Sequence, residues 1–218
     1  MKKIIFAAAL TALALPAYAD ITVNAKASTL GTGAEVAFPL LSSTDARIGF
    51  NTFSYGFKQT TTSGGNSTDF DGDLKLQSLQ ALVDWHPFDG SFRMSGGLMY
   101  NGNQFSMTAR PTGGTIYVGG VPYAATSASV NATVDFAKVV PYLGIGWGRT
   151  PHNTGLSFTS DIGIMFQGTP KATLTTTGIP DPSGTLAADT ARAKADMEDA
   201  LKNFKAYPVI SFGIGYTF

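Results

Sequence analysis

Apolar and polar residues alternate with a period of two over most of this chain. The last twelve residues, YPVISFGIGYTF, put Ile210, Phe212, Ile214, Tyr216 and Phe218 on one parity. Val209, Ser211, Gly213, Gly215 and Thr217 take the other. Successive side chains of a strand point to opposite faces, so this is a strand with one apolar, aromatic face and one small, mostly polar face. The same pattern predicts seven more strands. The first two are 21–28 (ITVNAKAS) and 34–40, joined by a tight turn at 29–33 (TLGTG). A turn at 42–45 leads to the third, Arg47 to Lys58. Its apolar parity changes between Ile48/Phe50 and Phe53/Tyr55/Phe57, which predicts a bulge near Thr52.

A long polar loop is expected at 60–73, then a fourth strand, Leu74 to Trp85, and a short turn at 86–90. The fifth strand runs from Phe92 to about Met107. A loop rich in Gly, Thr and Ser reaches Ser129, and a sixth strand continues to Gly148. After a turn at 149–153 the seventh strand covers Leu156 to about Leu174, and the eighth is 206–218. Between the last two, 185–204 reads as one helix, with a stripe of Ala193, Met197, Leu201 and Phe204. Arg192–Asp196 and Glu198–Lys202 are the expected i,i+4 ion pairs. This helix either packs on a rim or forms a lid over a small hydrophobic ligand. Short connections at 42–45, 86–90 and 149–153 alternate with long ones at 60–73, 108–129 and 175–205, the turn at 29–33 being the exception.

The amino terminus decides what surrounds the apolar faces. Residues 1–19 have a basic start (Lys2, Lys3), an apolar run from Ile4 to Leu15 and a small-residue end at Ala17-Tyr18-Ala19. This is the pattern of a secretory signal peptide, cleaved after Ala19, leaving residues 20–218 as one domain. Charged residues are only 14 % of the chain while hydrophobic ones are 44 %, and there is no cysteine. A net charge of zero argues against a nucleic-acid partner. No segment after the signal has the 18 or more apolar residues of a spanning helix. An apolar exported chain of this kind is either a soluble β-protein with its greasy face inward, in the lipocalin manner, or a closed barrel in the outer membrane, where every backbone group is paired. The alternation of short and long connections fits the barrel, with short turns on the periplasmic side. Trp85, Phe88, Phe92, Trp147 and Phe218 all fall at the short-turn end, where a membrane barrel carries an aromatic girdle. The fold class is therefore all-β: an eight-stranded antiparallel transmembrane β-barrel with one short helix in the last long loop.

The polar parities place Lys26, Glu35, Arg47, Asp84, Arg93 and Asp161 inside the barrel, three cations with three anions. A narrow eight-stranded interior is filled by side chains, so these read as a paired plug, with a gated polar path as the other reading. No catalytic set is visible. An enzyme acting on lipid A at the outer leaflet would need a histidine there, whereas His86 and His152 fall in short turns. Asp69, Asp71 and Asp73 in DFDGD are a weak calcium candidate, lacking the later Glu of an EF-hand; otherwise no metal and no cofactor is expected.

The closing strand, with Phe218 last, Tyr216 two before it, and Ile214, Phe212 and Ile210 in alternation, resembles the carboxy-terminal signature of bacterial outer-membrane β-barrel proteins. The resemblance implies that Phe212, Ile214, Tyr216 and Phe218 form a signal read by the barrel assembly machinery of the outer membrane. With eight strands the whole exported chain resembles the small OmpA-type and OmpW-type barrels. ALVDWHPFDGSFRMSGGLMYNGN and PYLGIGWG resemble segments of uncharacterised small proteobacterial barrels. The implied setting is the Gram-negative outer membrane. The implied partners are its lipid and lipopolysaccharide, and the implied state is a monomer. The expected role is structural or passive small-solute transport without catalysis, with surface binding through the long loops as the alternative. Lipid A deacylases and palmitoyl transferases, which are similar in size and fold, stand behind both.

Overall fold

The computed structural model describes residues 21–63, 66–149 and 154–218. The signal segment 1–19 and His152 lie outside the described residues. The strands in chain order are β1 (Thr22–Ser28), β2 (Gly31–Leu41), β3 (Thr44–Ser63), β4 (Asn66–Trp85), β5 (Phe92–Asn101), β6 (Gln104–Pro111) and β7 (Thr115–Val118). Then come β8 (Val121–Ala124), β9 (Ser129–Asp135), β10 (Val139–Trp147), β11 (Gly155–Met165), β12 (Lys171–Thr177) and β13 (Tyr207–Thr217). One helix, α1 (Leu186–Leu201), precedes β13.

Eight of these strands close a ring, each antiparallel to its neighbours, in the order β4-β3-β2-β1-β13-β11-β10-β5 and back to β4. The closing strand pairs with β1 over Thr22↔Thr217 to Ser28↔Ser211 and with β11 over Gly155↔Thr217 to Met165↔Tyr207. Closure removes both sheet edges, the condition for strands to cross a lipid bilayer. The alternation is as expected. Leu79, Val83, Leu143, Ile145, Ile162, Phe212 and Ile214 stand exposed on the outside, while their neighbours of opposite parity are buried within. The turn between β1 and β2 is Thr29–Leu30, which gives the even strand number.

Beyond the ring the chain departs from the sequence-based expectation. The described residues of the segment 60–73 are strand rather than loop. β3 and β4 are each 20 residues long and stay paired from Thr44↔Trp85 to Ser63↔Asn66 without a register shift. The expected fifth, sixth and seventh strands are each broken in two, at Gly102–Asn103, 136–138 and 166–170. Their far halves, β6, β9 and β12, leave the ring and continue the sheet sideways from the upper part of β4, giving an upper sheet in the order β3-β4-β6-β9-β12. β4 makes this possible by pairing with β5 over Ser78–Trp85 and with β6 over Thr68–Lys75. Two asparagines hold the kink. Asn103 Oδ1 accepts from the Gln77 backbone N–H at 3.0 Å, and Asn101 Oδ1 accepts from that of Asn103 at 3.1 Å.

The bulge predicted near Thr52 is absent; the register irregularity lies at Pro39/Leu41 on β2 instead. The parity of β3 and β4 changes for another reason. In the ring the outer face is exposed and apolar: Ile48 and Phe50, Leu79 and Val83. In the upper sheet the same outer face carries Lys58, Asp71, Asp73 and Lys75, and the apolar residues Phe53, Tyr55, Phe57, Phe70, Leu74 and Leu76 lie on the inner parity. The strand does not turn over; its outer face passes from an apolar band in the ring to a charged one above it.

The segment 108–129 likewise holds structure. β7 and β8 form a hairpin whose Ile116, Val118 and Tyr123 pack with Ala125 and Ala128 into a small core, joined by Val130, Ile179 and Leu186. Helix α1 is 186–201 rather than 185–204 and lies against β12 and β7. It sits on the upper sheet, with Phe204 exposed beyond it. Asp181 accepts from the N–H groups of Thr185 and Leu186 at 3.0 and 3.2 Å, capping the helix start. The helical ion pairs are Arg192–Asp189, Lys194–Glu198 and Lys202–Asp199 rather than the expected pairs.

Candidate functional site

The six inward charges come from six ring strands, and the register brings them together at one level. Arg47 on β3 is the hub. Its Nε lies 2.5 Å from Asp84 Oδ2, its Nη1 is 3.3 Å from Glu35 Oε2, and Nη1 is 3.2 Å from Asp161 Oδ2. Lys26 Nζ lies 2.9 Å from Glu35 Oε2 and 3.8 Å from Asp161 Oδ2. Arg93 Nη2 is 2.7 Å from Asp161 Oδ1, and its Nη1 donates to the Gly148 carbonyl at 3.0 Å. Arg47 and Glu35 are each only 1 % exposed. A buried charge is tolerated when its partners and hydrogen bonds are complete.

Three neutral side chains add hydrogen bonds to the carboxylates. Gln80 Nε2 donates to Glu35 Oε2 at 2.5 Å, Ser95 Oγ to Asp84 Oδ1 at 2.7 Å and Ser211 Oγ to Asp161 Oδ2 at 3.0 Å. The polar parity of β4, β5 and β13 contained these residues, but only the register shows which carboxylate each one meets. β10 contributes room instead of charge. A Cβ on Gly146 would fall 2.6 Å from Asp161 Oδ1 and 3.0 Å from Arg93 Nε, so glycine there admits the network.

Sequence reasoning missed the layer above the charges. Leu30, Leu82, Met99, Val140, Tyr142, Met165 and Val209 form an apolar cluster inside the ring, toward the long-connection end. Nothing in the local pattern of any one strand marks these residues as a cluster. At the opposite end, His86 Nε2 lies 3.2 Å from Asp45 Oδ2 and Nδ1 lies 3.1 Å from the Gly90 carbonyl. Thr22 and Thr217 join hydroxyls at 2.6 Å at the same end. From end to end the interior is thus a polar floor, an ion network and an apolar cap. Lining residues of a water-filled pore would be reached by solvent; Met165 and Leu30 are not.

Aromatic residues gather near the short turns at one end of the ring. Phe88 and Phe92 have ring centroids 5.9 Å apart, and Phe92 and Trp147 are 5.8 Å apart, edge to face. Trp85, Trp147 and Phe218 project outward and are exposed. Of the closing strand, Phe212, Ile214, Tyr216 and Phe218 all face outward, and the Tyr216 and Phe218 rings meet at 5.2 Å.

Asp69, Asp71 and Asp73 lie along one face of a continuous strand, not in a loop. Alternate residues on a strand are about 6.8 Å apart, too far for one ion to gather three carboxylates. Asp71 pairs with Arg110 and with Lys58, and Asp69 accepts from Thr60 at 2.6 Å. The hydrogen bond from Arg110, with the nearby Lys58 charge, holds Asp71 below the usual carboxylate range. Among the described residues no group of three or more His, Asp or Glu is placed to hold a metal.

No family model matches this chain, and no curated protein matches it. Solved structures do. The chain is similar to CarO2 of Acinetobacter baumannii, with 18 % identity over 91 % of this chain and 98 % of that one, at a TM-score of 0.56. It is similar to CarO of the same organism, with 16 % identity, the same coverage and a TM-score of 0.56. A major outer membrane protein from Thermus thermophilus also aligns, over 93 % of this chain and all of that one, at 13 % identity and a TM-score of 0.38. The fold is that of a small outer-membrane β-barrel.

Proposed function

We propose that this protein is a non-catalytic structural barrel of the Gram-negative outer membrane, exported by its signal peptide, that anchors a sheet outside the cell. The filled interior carries the reading. The ion network and the apolar cluster above it leave the axis of the ring without a polar path. A passive solute would have to part the ion pairs around Arg47 and then cross Met99, Val140 and Met165. The upper sheet is the extracellular part, because long connections of membrane barrels face outward. The outer leaflet that it rises from would supply its lipid and lipopolysaccharide partners. Phe212, Ile214, Tyr216 and Phe218 would address the chain to the assembly machinery as a monomer. A non-catalytic role is supported by the place of His86, buried against Asp45 and Gly90 at the end away from the upper sheet.

Single-channel recording of the refolded protein in a planar bilayer tests this, after a heat-dependent gel shift has established the barrel. Folded protein without conductance steps is the expected result. Discrete steps at low applied voltage would overturn the closed interior and return the protein to passive transport.

A further inference from the structure

The upper sheet has two edges, and the fold treats them differently. The β12 edge is covered by α1, whose Glu198 Oε1 accepts from the Ala172 backbone N–H at 3.1 Å. The β3 edge is left open. β2 follows β3 only as far as Thr32↔Thr52, yet β3 continues as a strand to Ser63. Among the described residues nothing pairs with β3 on that side beyond Thr52. Natural edges are blunted by proline, bulges, shortness, a covering element or charged side chains, lysine above all, and here Lys58 alone plays that part. The stretch 53–62, FSYGFKQTTT, has no proline, keeps unbroken register with β4, and carries one charge, Lys58.

Its inner face adds a second feature. Phe53 is 44 % and Tyr55 57 % exposed, although this parity is the apolar side of the sheet. The Tyr55, Phe57 and Phe105 rings follow one another at 6.5 Å centroid spacing, a stacked row that stops at the open edge. On the other face Lys58 is 87 % exposed, only loosely held by Asp71 at 3.5 Å.

We propose that the β3 edge over Phe53–Thr62 is a docking site for an extended peptide segment of a partner protein, added as a strand to the upper sheet. The reading of that sheet as extracellular is its premise. Only another extended backbone matches a row of unpaired N–H and C=O groups, and β2 already fills this same side of β3 below Thr52. The aromatic row asks for apolar side chains on alternate residues of the incoming strand. Lys58 asks for an acidic residue on the intervening ones.

The test uses the full exported chain in nanodiscs and hydrogen exchange of the β3 amides. The probe is a fluorescein-labelled decapeptide alternating valine with threonine and carrying one glutamate. Its control is the same peptide N-methylated at every second residue. Amides within 53–62 should exchange at least tenfold more slowly with the probe and unchanged with the control. Tyr55→Lys, and separately Phe53→Lys, should weaken probe binding by tenfold or more, while Thr173→Lys on β12 should not. No protection at saturating probe, or equal protection by the N-methylated peptide, overturns the proposal. Protection of the same amides by self-association without any peptide, read by sedimentation, overturns it in favour of a second copy. Conductance without peptide would strike the closed-barrel reading alone and leave this result standing.

Discussion

Arg47 Nη2 and Asp84 Oδ1 lie 2.9 Å apart at the centre of the ring, with Arg47 Nε against the other Asp84 oxygen. One guanidinium thereby holds a carboxylate through two prongs and still reaches Glu35 and Asp161. Replacing it by methionine keeps much of the volume but leaves three buried carboxylates facing Lys26 and Arg93. Removing one partner of a buried pair costs about 3–5 kcal/mol. Arg47→Met should lower the urea midpoint of the heat-modifiable form accordingly, and Arg47→Lys should recover part of it. A midpoint unchanged in Arg47→Met would show that water already compensates these carboxylates and that the interior is wet.

The network also depends on space. Gly146→Ala would put a methyl 2.5 Å from the Ser160 carbonyl and 2.6 Å from Asp161 Oδ1. Gly155→Ala meets nothing within 4 Å. Overpacking typically costs about 1–3 kcal/mol. The first variant should unfold at lower urea than the parent and the second should match it. Equal midpoints would mean that the β10 glycines serve strand geometry and not the charge cluster.

Much of this ring is legible in the sequence because lipid outside and polar side chains inside enforce a strict period of two. Lys26, Glu35, Arg47, Asp84, Arg93 and Asp161 fall on inner parities that can be read one strand at a time. What joins them cannot. Gln80 meeting Glu35, or Ser211 meeting Asp161, is a fact of register between strands far apart in sequence. The upper sheet is hidden for a different reason. Where lipid gives way to water, the apolar face of β3 and β4 moves to the other parity, and a period-two reading takes that for a bulge or a loop. DFDGD looks like a cation loop for the same reason, since its aspartates are simply the solvent face of β4.

Helix α1 should respond to alkali. Tyr123 donates to Asp189 Oδ2 at 2.7 Å and meets Thr185 Oγ1 at 3.2 Å. The hydrogen bond to the Asp189 carboxylate raises the Tyr123 phenol above its usual value. A raised value for a group that is neutral when protonated stabilises the folded form below the ordinary phenol range, about pH 10. That contribution is lost as pH rises through the folded value. The protection factors of the α1 amides, with the intrinsic base-catalysed rate removed, should therefore fall above about pH 10, the ordinary phenol value. In Tyr123→Phe they should already be lower at neutral pH and show no further step. A wild-type profile without an alkaline step would detach the helix from this contact.

The change of medium along β3 gives the last prediction. Ile48 and Ser54 share the outer face of one unbroken strand, three alternations apart. Ile48 is in the lipid-facing band beside Phe50, whereas Ser54 pairs with Lys75 above it. Arginine on the lipid face near the midplane costs about 2–4 kcal/mol, and surface substitutions usually stay within about 0.5 kcal/mol. Ile48→Arg should therefore reduce the refolding free energy in phospholipid vesicles several-fold more than Ser54→Arg. The inner parity should behave the opposite way: Phe57→Ser should loosen the upper sheet, since the Phe57 ring lies over Gly72. If Ile48→Arg and Ser54→Arg cost the same, the outer face of β3 meets one medium along its whole length. The parity change would then need another cause.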